Sequence, residues 1–155
     1  MPSTLELVTA SRHRPQDLFD LSLDVGTHVD SMRGSREQAV GGVTQGRLGP
    51  GDTVTWRGRH LGVYFRMTVR VTVFDRPHRF VDEQVSGPFR MFRHEHLYEA
   101  ANGGTRMVDR ITLASPVGGR LVERGLLVPH LRRIVAQRNA VLVAELDRRA
   151  AHRAG

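Results

Sequence analysis

The chain has 155 residues, of which 39% are hydrophobic and 25% charged, and it contains no cysteine. That balance is globular and fits one domain over residues 1–155; it excludes disulfide frameworks, thiolate nucleophiles and cysteine-based zinc sites. The net charge is +7, and all 23 basic residues are arginine, scattered from Arg12 to Arg153 and often beside acids, so nucleic acid is not the expected partner.

Thr4 to Ser11 alternates and reads as a first strand. Arg14-Pro15-Gln16-Asp17 opens a helix, with Pro15 suited to its first turn and Leu18, Phe19, Leu21 and Leu23 following. A second short helix is expected over Thr27 to Met32. A glycine-punctuated passage follows, with one short strand around Ala39–Gln45. From Asp52 the chain is a meander. Asp52–His60 places Val54, Trp56 and Gly58 on one face. Gly62–Phe74 is the clearest strand, with Val63, Phe65, Met67, Val69, Val71 and Val73 on one side and Arg66, Thr68, Arg70 and Thr72 on the other. Further strands run through His78–Ser86, Arg90–Ala100 and Thr105–Ser115. The period then changes. Leu121, Leu127, Leu131, Ile134, Val135, Leu142 and Leu146 recur at helical spacing in one long amphipathic helix from Gly118-Gly119 to about Ala151, with Pro129 expected to kink or interrupt it.

The N-terminus lacks the basic start and apolar run of a signal peptide, and no stretch of about 18 apolar residues spans a bilayer. A cytoplasmic protein is expected. The order of elements predicts an α+β fold. An antiparallel sheet of about seven strands, apolar on one face, must cover and be covered by the apolar stripe of the terminal helix, leaving room for a cavity where it curls.

This order resembles the SRPBCC (START-like, helix-grip) superfamily, and in particular a bacterial subgroup labelled "cyclase/dehydrase". The residues that carry the likeness are Leu21–Met32, Gly51–Val63, Phe74–Glu99 and Gly103–Gly118. Within them stands the pattern Phe80-Val81-Asp82-Glu83-Gln84, then Gly87-Pro88-Phe89, then His94-x-His96 and Thr105-x-Met107-x-Asp109. The resemblance covers nearly the whole chain. It implies a curved sheet gripping an uninterrupted terminal helix, and a superfamily range that includes lipid carriers, hormone-binding proteins, polyketide aromatase/cyclases and ring-hydroxylase domains.

Asn102-Gly103 is the strongest short hairpin signal, a two-residue type I′ turn. It sets opposing residue numbers to sum to 205, pairing Tyr98 with Met107, His96 with Asp109 and His94 with Ile111 on the inner face. The outer face pairs Glu99 with Arg106 and Glu95 with Arg110 as cross-strand ion pairs. A turn at Arg76-Pro77 sets Val69, Val71 and Val73 beside Gln84, Asp82 and Phe80. A tight turn at Gly87-Pro88 would instead bring Glu83 and Val81 beside Phe92 and His94; the valine face favours Phe80, Asp82 and Gln84 inside. The expected lining is Trp56, Phe65, Met67, Val69, Asp82, Gln84, Phe92, His94, His96, Tyr98, Met107 and Asp109.

Several polar groups on one inner face require partners, because each unpaired one costs roughly 1–3 kcal/mol. They satisfy one another, or orient a ligand, or move protons. The reading favoured is a binding module for a hydrophobic or amphipathic small molecule, lipid- or polyketide-like, held between sheet and helix. The alternative is a polyketide cyclase or dehydratase with His96 or His94 as base, oriented by Asp109. A third is a closed core whose partner is another macromolecule. His94, His96 and Asp109 also fit a two-histidine, one-carboxylate iron site. The superfamily does not usually carry one, so neither metal nor cofactor is expected. Monomer and homodimer both stay open.

Overall fold

The computed structural model describes residues 2–155; Met1, the first residue of the N-terminal stretch considered above, lies outside them. The chain runs β1 (Ser3–Ser11), α1 (Pro15–Ser22), α2 (Val25–Ser31), a 3₁₀ turn (Arg33–Ser35), β2 (Gln38–Gly42), β3 (Thr53–His60), β4 (Val63–Asp75), β5 (Arg79–Ser86), β6 (Met91–Ala101) and β7 (Gly104–Ala114). It closes with α3 (Gly119–Val122), a π-helical turn (Glu123–Leu127) and α4 (Val128–Ala154). The seven strands form one open sheet in the order β1-β7-β6-β5-β4-β3-β2, antiparallel throughout. No helix among the described residues is long and apolar enough to cross a membrane.

The helices start where their side chains allow. Pro15 sits in the first turn of α1, where its missing N–H costs nothing. Asp24 caps α2 by accepting from the Thr27 N–H at 2.7 Å. The core gathers around Phe19 of α1, whose ring meets Phe74, Phe80 and Tyr98 edge-on at centroid distances of 5.3, 5.4 and 5.5 Å. Such contacts add about 0.5–1.5 kcal/mol each beyond area burial. A second cluster joins Leu5, Phe92, Ile111 and Leu113 of the sheet to Val135 of α4.

The β6–β7 register is the one read from Asn102-Gly103, with Tyr98 opposite Met107, His96 opposite Asp109 and His94 opposite Ile111. Both turn residues have positive φ, as type I′ demands. The β4–β5 pairing agrees at Val69–Gln84 and Val71–Asp82. It then shifts at a bulge, so that Phe74, not Val73, faces Phe80. The extra residue turns Phe74 inward onto Phe19 and Val73 away from the face. The conflict at Gly87-Pro88 is settled by a loop longer than a tight turn. Asp82 pairs with His94 and Phe80 with His96, and the Gln84 amide closes the loop by donating to the Phe89 carbonyl at 2.8 Å and accepting from its N–H at 3.2 Å.

Further expectations are corrected. The short strand ends at Gly42 instead of Gln45, because Gly42 has φ +67° and a side chain there would collide with the Thr53 carbonyl. The face of β4 is buried only at Val69 and Val71; Val63 and Phe65 are exposed. Pro129 does not end the helical run. It lies in the first turn of α4, and the wide π turn ahead of it absorbs the hydrogen bond that proline cannot give. That turn is fixed to the sheet by the buried Glu123 carboxylate, which accepts from the Ser3 hydroxyl and, at 2.7 Å, from the Ser115 N–H. Leu121, one of the helical-spacing leucines, is 86% exposed, not buried.

Candidate functional site

Between the concave sheet and the first half of α4 lies a cavity of about 510 Å³. Of the expected lining, Trp56, Phe65, Met67, Val69, Asp82, Phe92, His94 and His96 do border it, joined by Leu127, Leu131, Ile134 and Val135 from the helical side. Gln84, Tyr98, Met107 and Asp109 do not. Gln84 is spent on its loop. Tyr98 and Met107 are buried deeper, under α1, where burial pushes the Tyr98 hydroxyl pKa upward. Asp109 stands one layer behind the two histidines.

The polar end of the cavity is built on Asp109, 2% exposed. His94 Nε2 donates to Asp109 Oδ1 at 2.7 Å, and Asn139 Nδ2 of α4 donates to Oδ2 at 2.7 Å. The Arg138 Nη1 lies 3.5 Å from Oδ1 and donates to Asn139 Oδ1 at 3.1 Å. His96 Nε2 bonds Asp82 Oδ2 at 2.8 Å. Its Nδ1 sits 3.3 Å from Asp109 Oδ1, out of hydrogen-bonding line and with no partner. The two imidazoles stack with centroids 3.7 Å apart, and Phe80 stacks on the far side of His96 at 4.0 Å.

These contacts set the ionisation states. Burial would raise the Asp109 carboxyl, but the hydrogen bond from His94, with the His96 ring close by, holds it well below the usual range. Asp82 is likewise held low against burial, by His96. Burial, reinforced by the charge of His96, pushes His94 below the ordinary imidazole value despite Asp109. Because ionised Asp109 only accepts, the proton of neutral His94 sits on Nε2 and its Nδ1 carries the lone pair.

The donor atoms of Asp82, His94 and His96 lie within 4.8 Å of one another, a set suited to a divalent transition metal. Here Asp82 and His96 are bonded to each other, and the free Nδ1 of His96 lies against Asp109.

A second polar group lies on the cavity wall. Glu37, buried after the 3₁₀ turn, accepts from His28 Nε2 at 2.9 Å and faces His60 Nε2 at 3.5 Å. His60 Nδ1 in turn meets His130 Nε2 of α4 at 3.1 Å. Burial alone would raise Glu37; the two histidines bring it down to about 2. His28 also stacks on Trp56 at 4.0 Å. The four titratable residues come from α2, the following loop, β3 and α4, with no spacing in the sequence to join them. Arg138 and Asn139 did carry a signal. They fall on the same helical stripe as Val135, Leu142 and Leu146, where a polar residue is anomalous.

No family model matches the sequence, and no curated protein matches it either. Solved structures do. The aromatase/cyclase ZhuI of Streptomyces sp. R1128 superposes with a TM-score of 0.76 at 14% identity, over 97% of this chain and 96% of its own. This is a helix-grip α+β fold. The same helix-grip architecture matches the TTHA0849 protein of Thermus thermophilus at TM-score 0.73 and 15% identity, over 92% of this chain and 99% of that one. It also matches the major latex-like protein 151 of Panax ginseng at TM-score 0.68 and 11% identity, over 94% and 97%.

Proposed function

We propose that the protein binds a hydrophobic or amphipathic small molecule, lipid- or polyketide-like, in the cavity between sheet and α4. The observation that carries this reading is a mostly apolar chamber of about 510 Å³ with two clusters of convergent polar groups in its wall, the usual construction of a small-molecule site. Helix-grip neighbours named as an aromatase/cyclase and a latex-like protein agree with it. Titration with N-phenyl-1-naphthylamine, an uncharged apolar fluorophore, tests it. Saturable one-to-one binding that Met67→Trp removes by filling the chamber is the expected result. Absence of binding by the wild-type protein refutes the reading.

A second reading, proton transfer in a cyclase or dehydratase, is supported by one feature. His94 is neutral, pinned through Nε2, and borders the cavity with Nδ1 unengaged, the arrangement of a general base. His94 is the better base of the two expected histidines, since the Nδ1 of His96 is shut against Asp109. With a poly-β-ketone thioester as substrate, His94→Gln should lower turnover by about 10²–10⁴ while affinity stays within about tenfold. Equal loss of affinity and turnover would leave His94 a lining residue.

A further inference from the structure

Arg138 is the one arginine in the cavity lining, and its positive charge is not removed by proton loss. Its side chain is 7% exposed and borders the chamber, yet only Nη1 is engaged, by Asn139 and Asp109. Among the described residues Nε and Nη2 have no hydrogen-bond partner. Asp82 also borders the chamber, and its Oδ1 likewise has none, since His96 holds only Oδ2. The cavity is therefore bordered by a guanidinium with unpaired donors and, out of ion-pair contact with it, by a carboxylate with an unpaired oxygen.

The charge balance narrows what can be held there. Asp82 and Asp109 contribute two negative charges and Arg138 one positive. With both imidazoles neutral the cluster carries −1; with one protonated it is neutral. A ligand carboxylate would gain Arg138 but meet Asp82 across a water-poor cavity, where like charges repel strongly. An uncharged head with a carbonyl to accept from Arg138 and a hydroxyl to donate to Asp82 satisfies both and adds no charge.

Building on the binding reading above, we propose that the Arg138–Asp82 pair selects an apolar molecule with an uncharged hydroxy-ketone head and rejects the carboxylate of the same chain length. Displacement of N-phenyl-1-naphthylamine at pH 8 by 4-hydroxydodecan-2-one, 2-dodecanone and dodecanoate tests it. The expected affinity order is hydroxy-ketone, ketone, carboxylate, the first exceeding the last by about tenfold or more, the worth of one hydrogen bond to a charged group. Arg138→Met should lower the affinity of both ketones relative to the fluorophore by about tenfold to a hundredfold. Asp82→Asn, by deleting a negative charge, should raise dodecanoate relative to 2-dodecanone. Each ratio is taken within one protein, so a change in the folded fraction of a variant cancels. Dodecanoate binding the wild type more tightly than the hydroxy-ketone, or an Arg138→Met ratio that does not move, overturns the selection while leaving a bound fluorophore to uphold the cavity. A fluorophore that never binds sinks both.

Discussion

Asp109→Asn is the most informative single substitution for the buried network. The carboxylate accepts at 2.7 Å from both His94 and Asn139 and balances Arg138 at 3.5 Å. An asparagine keeps the shape but offers one acceptor where two are needed. Its Nδ2 must then point at a donor, either the Asn139 amide or the His94 N–H, while Arg138 loses its nearest counter-charge. Hydrogen bonds to a charged group contribute about 1.5–3 kcal/mol each, and removing one member of a buried pair costs about 3–5 kcal/mol. We expect a loss of about 3–4 kcal/mol. In a chain of this size each kcal/mol lowers Tm by about 2–4 °C, so thermal unfolding followed by circular dichroism at pH 7.5 should shift down by about 6–16 °C. The exposed pair between Glu99 and Arg106, at 3.0 Å, provides the contrast. Glu99→Gln should cost under about 1 kcal/mol because solvent screens it. A shift of less than about 2 °C for Asp109→Asn would show that the network contributes nothing net and that the reasoning from its geometry is wrong.

Titration gives two further outcomes. His94 stays neutral in the fold but takes up a proton near pH 6.5 once unfolded, so the unfolded state binds more protons below that value. Stability measured in urea should therefore fall as pH drops from about 6.5 towards 5, and His94→Gln should flatten that slope; an unchanged slope would assign it elsewhere. Glu37, lowered to about 2, contributes stability that is present above the unfolded carboxyl value and lost as pH falls through the folded one. Glu37→Gln should cost about 3 kcal/mol at pH 7 and almost nothing near pH 2. A cost that does not depend on pH would mean that shape, not charge, matters there.

The hairpins were the most legible part of the molecule because their signals are local. Asn102-Gly103 admits one register, and that register places His94, His96 and Asp109 together without further information. The bulge after Val71 was invisible, because an extra residue leaves the alternation of Phe65 to Val73 intact in the sequence and changes only what Phe74 faces across the sheet. The Gly87-Pro88 loop was ambiguous for a different reason. Its length is decided by the Gln84 side chain reaching Phe89, an interaction that no turn rule encodes. On the helix, the leucines announce the stripe, but Arg138 and Asn139 pass for its polar face whenever charge is weighed above position. The His28–Glu37–His60–His130 group lay beyond reach altogether, as its members meet only after four separate segments have folded.

The pairing of β1 with β7 bears on how the chain acquires its structure. Glu6 and Arg110, neighbours across that ladder, are 104 positions apart, and β1 is an edge strand with no other partner in the sheet. Of the seven strands of the sheet, β1 is therefore made first and paired last. Hairpins β3 to β7 can zip in order as they emerge, each a short loop closure, whereas β1 must wait for a closure of about a hundred residues. Asn139 bonds Thr9 on one side and Asp109 on the other, so the polar end of the cavity is assembled only when that late event is complete. Until then the chain holds most of its sheet but not the polar network at one end of the cavity, and α4 must be made before that network can close.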